Sequence, residues 1–167
     1  MRTFLRAVLA TTALVAAVPV TSLAASPATA QTATAATTAI HQQLRRYEQA
    51  LNTSDVDSVM ALYADDAVFM PQNSPPAVGR DAVRTAYRQV FSAIKLDVRF
   101  QIDEVRQLSK DWAYARTRSN GTVKLLSSDQ PPGAEANQEL FVFHREADGQ
   151  WRFARYIFAT TNPPAGR

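Results

Sequence analysis

The chain has no cysteine anywhere in its 167 residues. Disulfides and thiolate chemistry are therefore excluded, and so is a lipid anchor attached after the N-terminal apolar run. Histidine is almost as scarce. His41 and His144 stand alone, each reading as a surface or sheet residue rather than a ligand, and no metal is expected. The five glycines never gather into a phosphate-cradling loop, so no dinucleotide cofactor is expected either. The formal charge of +3 comes without a basic cluster, which argues against a nucleic-acid partner. Serine and threonine show neither a nucleophile elbow nor a paired base, leaving covalent catalysis without support.

What is present begins with Arg2 and Arg6, then the apolar run "AVLATTALVAAVPV", then the small-x-small stretch Ala28-Thr29-Ala30. This is the pattern of a signal peptide over residues 1–30, and the run is shorter than the ~20 residues of a stable membrane anchor. A second small-x-small stretch, Ala33-Thr34-Ala35, leaves the cut open by a few residues. Cleavage near Ala30 implies a secreted or periplasmic protein and leaves 137 residues, enough for one domain, with 16 basic against 15 acidic side chains. Residues 31–37 read as a disordered leader, and the domain as residues 38–164.

Ile40, Leu44, Tyr47 and Leu51 fall on one helical stripe, with Thr38 placed to cap it. Asn52 to Asp55 breaks that helix and can cap a second, shorter one carrying Val56, Val59, Met60 and Tyr63. "DDAVFMP" reads as a brief strand ended by Pro71, and "QNSPPAVG" as an irregular loop. Asp81 then caps a third helix with Val83, Tyr87, Val90, Phe91 and Ile94 on its apolar face. Beyond Ile94 everything alternates with a period of two, interrupted at Ser119-Asn120-Gly121 and turned at Asp148-Gly149. Three helices followed by a run of antiparallel strands give an α+β fold, with the helices covering one sheet face.

Strand parity then predicts the interior. A two-residue turn at Asp148-Gly149 sets Phe143 opposite Ala154, Phe141 opposite Tyr156 and Glu139 opposite Phe158, all facing inward. A three-residue turn instead brings Arg155 beside Phe141, within diagonal reach of Glu139. The first arrangement is the one we expect. A similar count sets Glu104 opposite Ala113, Ile102 opposite Ala115 and Phe100 opposite Thr117, and small residues facing an apolar wall leave room for a ligand unless helix side chains fill it. Arg155, Phe153, Ile157 and Leu140 would lie on the outer face, a surface suited to a homodimer.

The stretch from Arg45 to Phe91, with "YADDAVFMP" leading through a loop to "GRDAVRTAY", resembles nuclear transport factor 2-like domains of the SnoaL-like and ketosteroid isomerase-like group. "WAYARTRSNGT", "EANQELFVF" and "RYIFATTNPP" are similar to the SgcJ/EcaC-type family, whose members carry a provisional oxidoreductase label. The resemblance implies a cone-shaped fold, a curved sheet around a deep pocket, and frequently a dimer. It also implies that Tyr47, spaced from Asp55 like the tyrosine of ketosteroid isomerases, helps bind a developing oxyanion. The base of those enzymes would stand at Met70, before Pro71, and a second acid near Phe141. Both positions are apolar here, which argues against steroid-type isomerisation.

Glu104 and Glu139 are the candidate acids, each expected to face inward and to hold a raised pKa through burial and mutual repulsion. With Tyr47 or Tyr156 as hydrogen-bond donor, they would serve general acid/base chemistry. Equally, Arg116, Arg155 or backbone amides would neutralise each acid and hold the sheet rim. The expected ligand is a small hydrophobic molecule, in a pocket lined by Tyr63, Met70, Tyr87, Phe91, Phe100, Thr117, Phe141, Phe143, Tyr156 and Phe158.

Overall fold

The computed structural model describes residues 27–163. Three helices, α1 (Pro27–Thr53), α2 (Val56–Met60) and α3 (Arg80–Ala93), pack on one face of a six-stranded sheet. Its strands are β1 (Tyr63–Met70), β2 (Ala77–Val78), β3 (Ile94–Gln107), β4 (Trp112–Leu125), β5 (Gly133–Arg145) and β6 (Trp151–Thr160). They lie in the order β2-β1-β6-β5-β4-β3, antiparallel except for β1 beside β6. The result is an α+β fold with a curved, open sheet, as the strand run implied.

The expected signal peptide lies outside the described residues up to Ser26. The leader expected over residues 31–37 is corrected: α1 runs through it without a break. Alanine is the best helix former, and Ala36, buried at 4%, adds another turn to the stripe of Ile40, Leu44, Tyr47 and Leu51. Among the described residues no helix is long and apolar enough to cross a membrane. At the end of α1, Ser54 takes a left-handed φ of 54°, and Asp55 caps α2 by accepting from Ser58 N at 3.0 Å. The cap of α3 is Gly79 (φ 83°), with Asp81 in the first turn instead of at the cap.

Strand β3 is an edge, and an edge strand must satisfy a free row of backbone groups. Polar side chains of α1 do this. Asn52 donates to Val98 O at 2.9 Å and accepts from Val98 N at 2.8 Å. Glu48 accepts from Phe100 N at 2.7 Å, and Arg45 donates to Phe100 O at 3.1 Å. One helix therefore both fills the concavity of the sheet and seals its rim.

Two registers differ from expectation. Ile102 pairs with Thr117, but Glu104 pairs with Arg116, so a bulge at Asp103 turns Glu104 to the outer face and Val105 inward. The bulge has a cause in charge pairing. Asp103 takes a two-pronged hydrogen bond from Arg118, at 2.9 and 3.0 Å, and a third from Arg116 at 3.1 Å. Between β5 and β6 the expected two-residue turn is corrected: Glu146 and Gln150 close a three-residue loop ending on Gly149 (φ 80°), which sets Phe143 opposite Phe153, and a bulge at Ala154 then restores the expected pairs of Phe141 with Tyr156 and Glu139 with Phe158. Phe153 is therefore fully buried rather than on the outer face. The interruption expected at Ser119 to Gly121 is also absent, since β4 is continuous across it.

Candidate functional site

The inward row of β5 runs Glu135, Asn137, Glu139, Phe141, Phe143, a polar half leading into an apolar one. The apolar half is closed. Phe141 stacks on Tyr156 with ring centroids 4.1 Å apart, and Tyr47 projects from α1 edge-on to Phe141, Phe153, Tyr156 and Phe100 at 5.3 to 5.7 Å. The polar half borders a cavity of about 150 Å³, whose wall includes Tyr47, Phe69, Tyr87, Glu139, Tyr156 and Phe158.

Glu139 is 4% exposed. Thr117 donates to one of its oxygens, and Ser119 donates to the other at 2.5 Å. No cation pairs with it among the described residues. Arg116 binds Asp103 and Glu104, and Arg155 binds Asp66. Burial pushes the Glu139 carboxyl up to about 7, the two hydroxyls opposing and the Glu135 charge assisting. Neutralisation by arginine, the alternative reading of this acid, is not what the fold provides.

Glu104 is corrected. It stands on the outer face with Arg106 at 3.0 Å and Tyr114 at 3.1 Å, and hydrogen bonds first from Arg106 and then from Tyr114 hold its carboxyl below the usual range. It belongs to an exposed charge network and is nowhere in the cavity wall. Met70 is corrected too, since it points away from the cavity and pairs with Ile157 on the outer face. Tyr63, Phe141, Phe143 and Thr117 face inward but are packed behind the wall, and Phe91 is half-buried against Tyr87. Of the residues expected to line the pocket, Tyr87, Phe100, Tyr156 and Phe158 do so, joined by Tyr47 and Glu139.

Three tyrosine hydroxyls form a chain. Tyr87 OH lies 2.5 Å from Tyr47 OH and 2.8 Å from Tyr63 OH. Burial pushes all three well above the ordinary phenol range, so they stay neutral and able to donate. Three protons serve two links, so one proton is left over. Tyr63 is sealed behind the wall, and a buried donor without a partner is costly, so Tyr63 donates to Tyr87. The spare proton then rests on Tyr47 or Tyr87, both of which face the cavity beside Tyr156, whose hydroxyl also interacts with that of Tyr47. Tyr87→Phe removes the central link and is expected to cost about 1–3 kcal/mol in urea denaturation, because two buried hydroxyls lose their partner. A change within error of zero would show the hydroxyls to be independent.

The pattern of the SnoaL-like domain matches residues 44–154. The chain belongs to the SnoaL-like family. A ketosteroid isomerase-like protein from Erwinia carotovora atroseptica is 35% identical and superposes with a TM-score of 0.72 over 75% of this chain and 96% of its own. A provisionally named scytalone dehydratase from Novosphingobium aromaticivorans shares the fold at 20% identity, with a TM-score of 0.70 over 80% and 89%. LinA does so at 17% identity, with a TM-score of 0.67 over 80% and 92%. The site includes several side chains that were not expected in it. Leu96 and Val98 share the parity of Phe100, and Glu135 and Asn137 share that of Glu139. The alternation that selected the expected residues also contained these. Phe69 was hidden because its strand is short and bounded by charge, giving parity too little length to read.

Proposed function

We propose that this SnoaL-like domain carries out cofactor-independent general acid/base chemistry on a compact, mostly apolar substrate. Glu139 moves the proton, and Tyr47, backed by Tyr87 and Tyr63, holds the substrate oxygen. The observation that carries this reading is a buried carboxyl with no cation beside it among the described residues, bordering an aromatic cavity. An acid near 7 offers both its forms at neutral pH, which is where proton transfer is most effective. A neutral phenol held in place by a second phenol needs no reorganisation to stabilise charge developing on an oxygen. In the simplest cycle the carboxylate takes a proton from carbon beside a carbonyl while Tyr47 donates a hydrogen bond to the enolate oxygen. The carboxylic acid then returns the proton to carbon.

Likeness to a ketosteroid isomerase-like protein supports carbonyl chemistry. Met70 occupies the place where the resemblance puts the isomerase base, so the role passes to Glu139 on a different strand. A cavity of about 150 Å³ holds roughly one ring and falls short of the ~300 Å³ at which drug-sized sites begin, so it suits a compact substrate better than four fused rings. Within the family we place the chain with the SgcJ/EcaC-type members, whose oxidoreductase label is the alternative activity. Secretion or a periplasmic location completes the proposal, with a homodimer seated on exposed Leu140 and Ile157 that light scattering would detect.

Deuterium uptake into cyclohexanone and cyclohex-2-enone, followed by proton NMR, tests the chemistry without knowledge of the natural substrate. Wild type is expected to accelerate exchange about a hundredfold over buffer, Glu139→Gln to abolish the gain, and the outer-face Glu104→Gln to retain it. Equal exchange by wild type and Glu139→Gln would remove the proposal.

A further inference from the structure

A second hollow lies against the cavity, between α3 and the loop from Pro71 to Ala77, and measures about 610 Å³. Pro75, Pro76 and Ala77 wall it on the loop side, Ala82 and Ala86 on the helix side, and nothing in the proposed chemistry uses it. Phe69, Pro71 and Val90 border both spaces, so these three residues form the partition between them. The helix explains why Val90 is among them. Residues three and four apart share a helix face. Val90 therefore continues the row of Ala82 and Ala86 toward the hollow, and also the row of Tyr87 and Ile94 toward the cavity.

The three are not equivalent. Phe69 is 3% exposed, pairs in the sheet with Ala77 on one side and Tyr156 on the other, and stacks on Tyr87 with ring centroids 5.0 Å apart. The ring of Pro71 is closed onto its own backbone. Val90 is half-buried and contributes only an isopropyl group. A β-branched side chain in a helix is held in one rotamer, so this group does not swing aside. Cutting it back opens the partition without breaking a stack or a ladder. On the cavity side there is room for about one ring, beside both Glu139 and Tyr47. Joined to the hollow, that space passes the ~300 Å³ of a drug-sized site. We infer that Val90 determines substrate size: it holds the substrate to one ring, and a second apolar ring bonded to the first is admitted to the outer hollow when the isopropyl group is removed. The inference rests on the proposed reading of the cavity as a ligand site, and it names what sets the limit of that site.

Titration calorimetry of the full chain with benzyl alcohol and 4-biphenylmethanol as probes decides the matter. Wild type is expected to bind benzyl alcohol about tenfold more tightly than 4-biphenylmethanol. In Val90→Ala, 4-biphenylmethanol is expected to gain about tenfold, while benzyl alcohol loses a few-fold with the contact it made to the isopropyl group. Loosened packing alone would weaken both probes, so the gain separates a size limit from a structural role. Val90→Leu provides a second reading should the first variant fold poorly, and is expected to exclude 4-biphenylmethanol at least as strongly as wild type. Val83→Ala is the control, since Val83 is fully buried on the same helix and borders neither space, and its ratio is expected to match wild type. Equal binding of the two probes by wild type, an unchanged ratio in Val90→Ala, the same shift in Val83→Ala, weaker exclusion by Val90→Leu, or no binding by either probe would each overturn the inference. Cyclohexanone exchange with an unchanged ratio would overturn it while leaving the acid/base reading standing, and a reversed ratio without exchange would do the opposite.

Discussion

Between pH 5 and pH 8 the wild-type protein is expected to lose stability that Glu139→Gln retains, on the order of 3 kcal/mol at most. Glu139 has an ordinary value of 4.5 in the unfolded chain and about 7 in the fold. Below 4.5 the group is protonated in both states and adds no slope. Between the two values the folded protein holds the extra proton, so stability falls as pH rises, and above about 7 the full cost of the buried charge is reached. Asp55, Asp103, Glu104 and Asp148 have carboxyls held below their usual values, first by hydrogen bonds from Ser58, Arg118, Arg106 and Arg152 respectively. They contribute in the opposite sense at more acid pH, and equally in both proteins, so the difference between wild type and variant isolates Glu139. Glutamine fits the site, because the Thr117 and Ser119 hydroxyls accept as readily as they donate. Urea midpoints at pH 5 and pH 8 provide the comparison. Parallel pH profiles would mean that Glu139 is solvated in the fold, and its suitability for proton transfer would go with that.

The same residue shows how far alternation reaches. Glu139 could be placed inward from sequence because it shares parity with Phe141, whereas the Phe141–Tyr156 pairing was reached through two errors that cancel: the turn at Gly149 is one residue longer than expected, and the bulge at Ala154 takes up the difference. Glu104 could not. Its strict alternation with Leu96, Val98, Phe100 and Ile102 is genuine, but one residue, Asp103, is drawn out of step by arginines on the neighbouring strand. A bulge caused by charges far along the chain leaves no mark in the strand that bulges. Phe153 was misplaced because the turn at Gly149 is one residue longer than expected, and the bulge at Ala154, in its own strand, restores the expected parity only beyond it. The volume of the cavity was hidden as well. Small inward residues on β4, Ala113 and Ala115, implied unfilled space, yet both are fully buried and most of the interior is filled by rings from α1, β5 and β6. Only about 150 Å³ remains. Parity tells which side chains face inward. How much of the space they occupy is a property of helix placement, and helix placement depends on contacts that no local pattern records.

Gly121→Val is expected to cost about 4 kcal/mol or more, enough to unfold a domain of this size under ordinary conditions. Gly121 lies in β4 between Val98 of β3 and Glu135 of β5, with a φ of 156°. A Cβ there would stand 2.0 Å from Asp97 O, 2.8 Å from Val98 Cα and 2.9 Å from Asp97 C. All three atoms are backbone, so no side-chain rotation relieves the overlap. Nor is β3 free to retreat, because Asn52 of α1 grips both the N–H and the C=O of Val98. Relief would require breaking either the β3–β4 ladder or the seal of α1 on the sheet edge, and both carry wall residues of the cavity, Val98 and Tyr47 among them. The same substitution is therefore expected to abolish ligand binding in whatever fraction stays folded. Gly133→Ala is the control, since an added Cβ there meets nothing within 4 Å. A Gly121→Val protein that melts with Gly133→Ala would show that the edge strand yields, and that the clamp from α1 does not hold the site in shape.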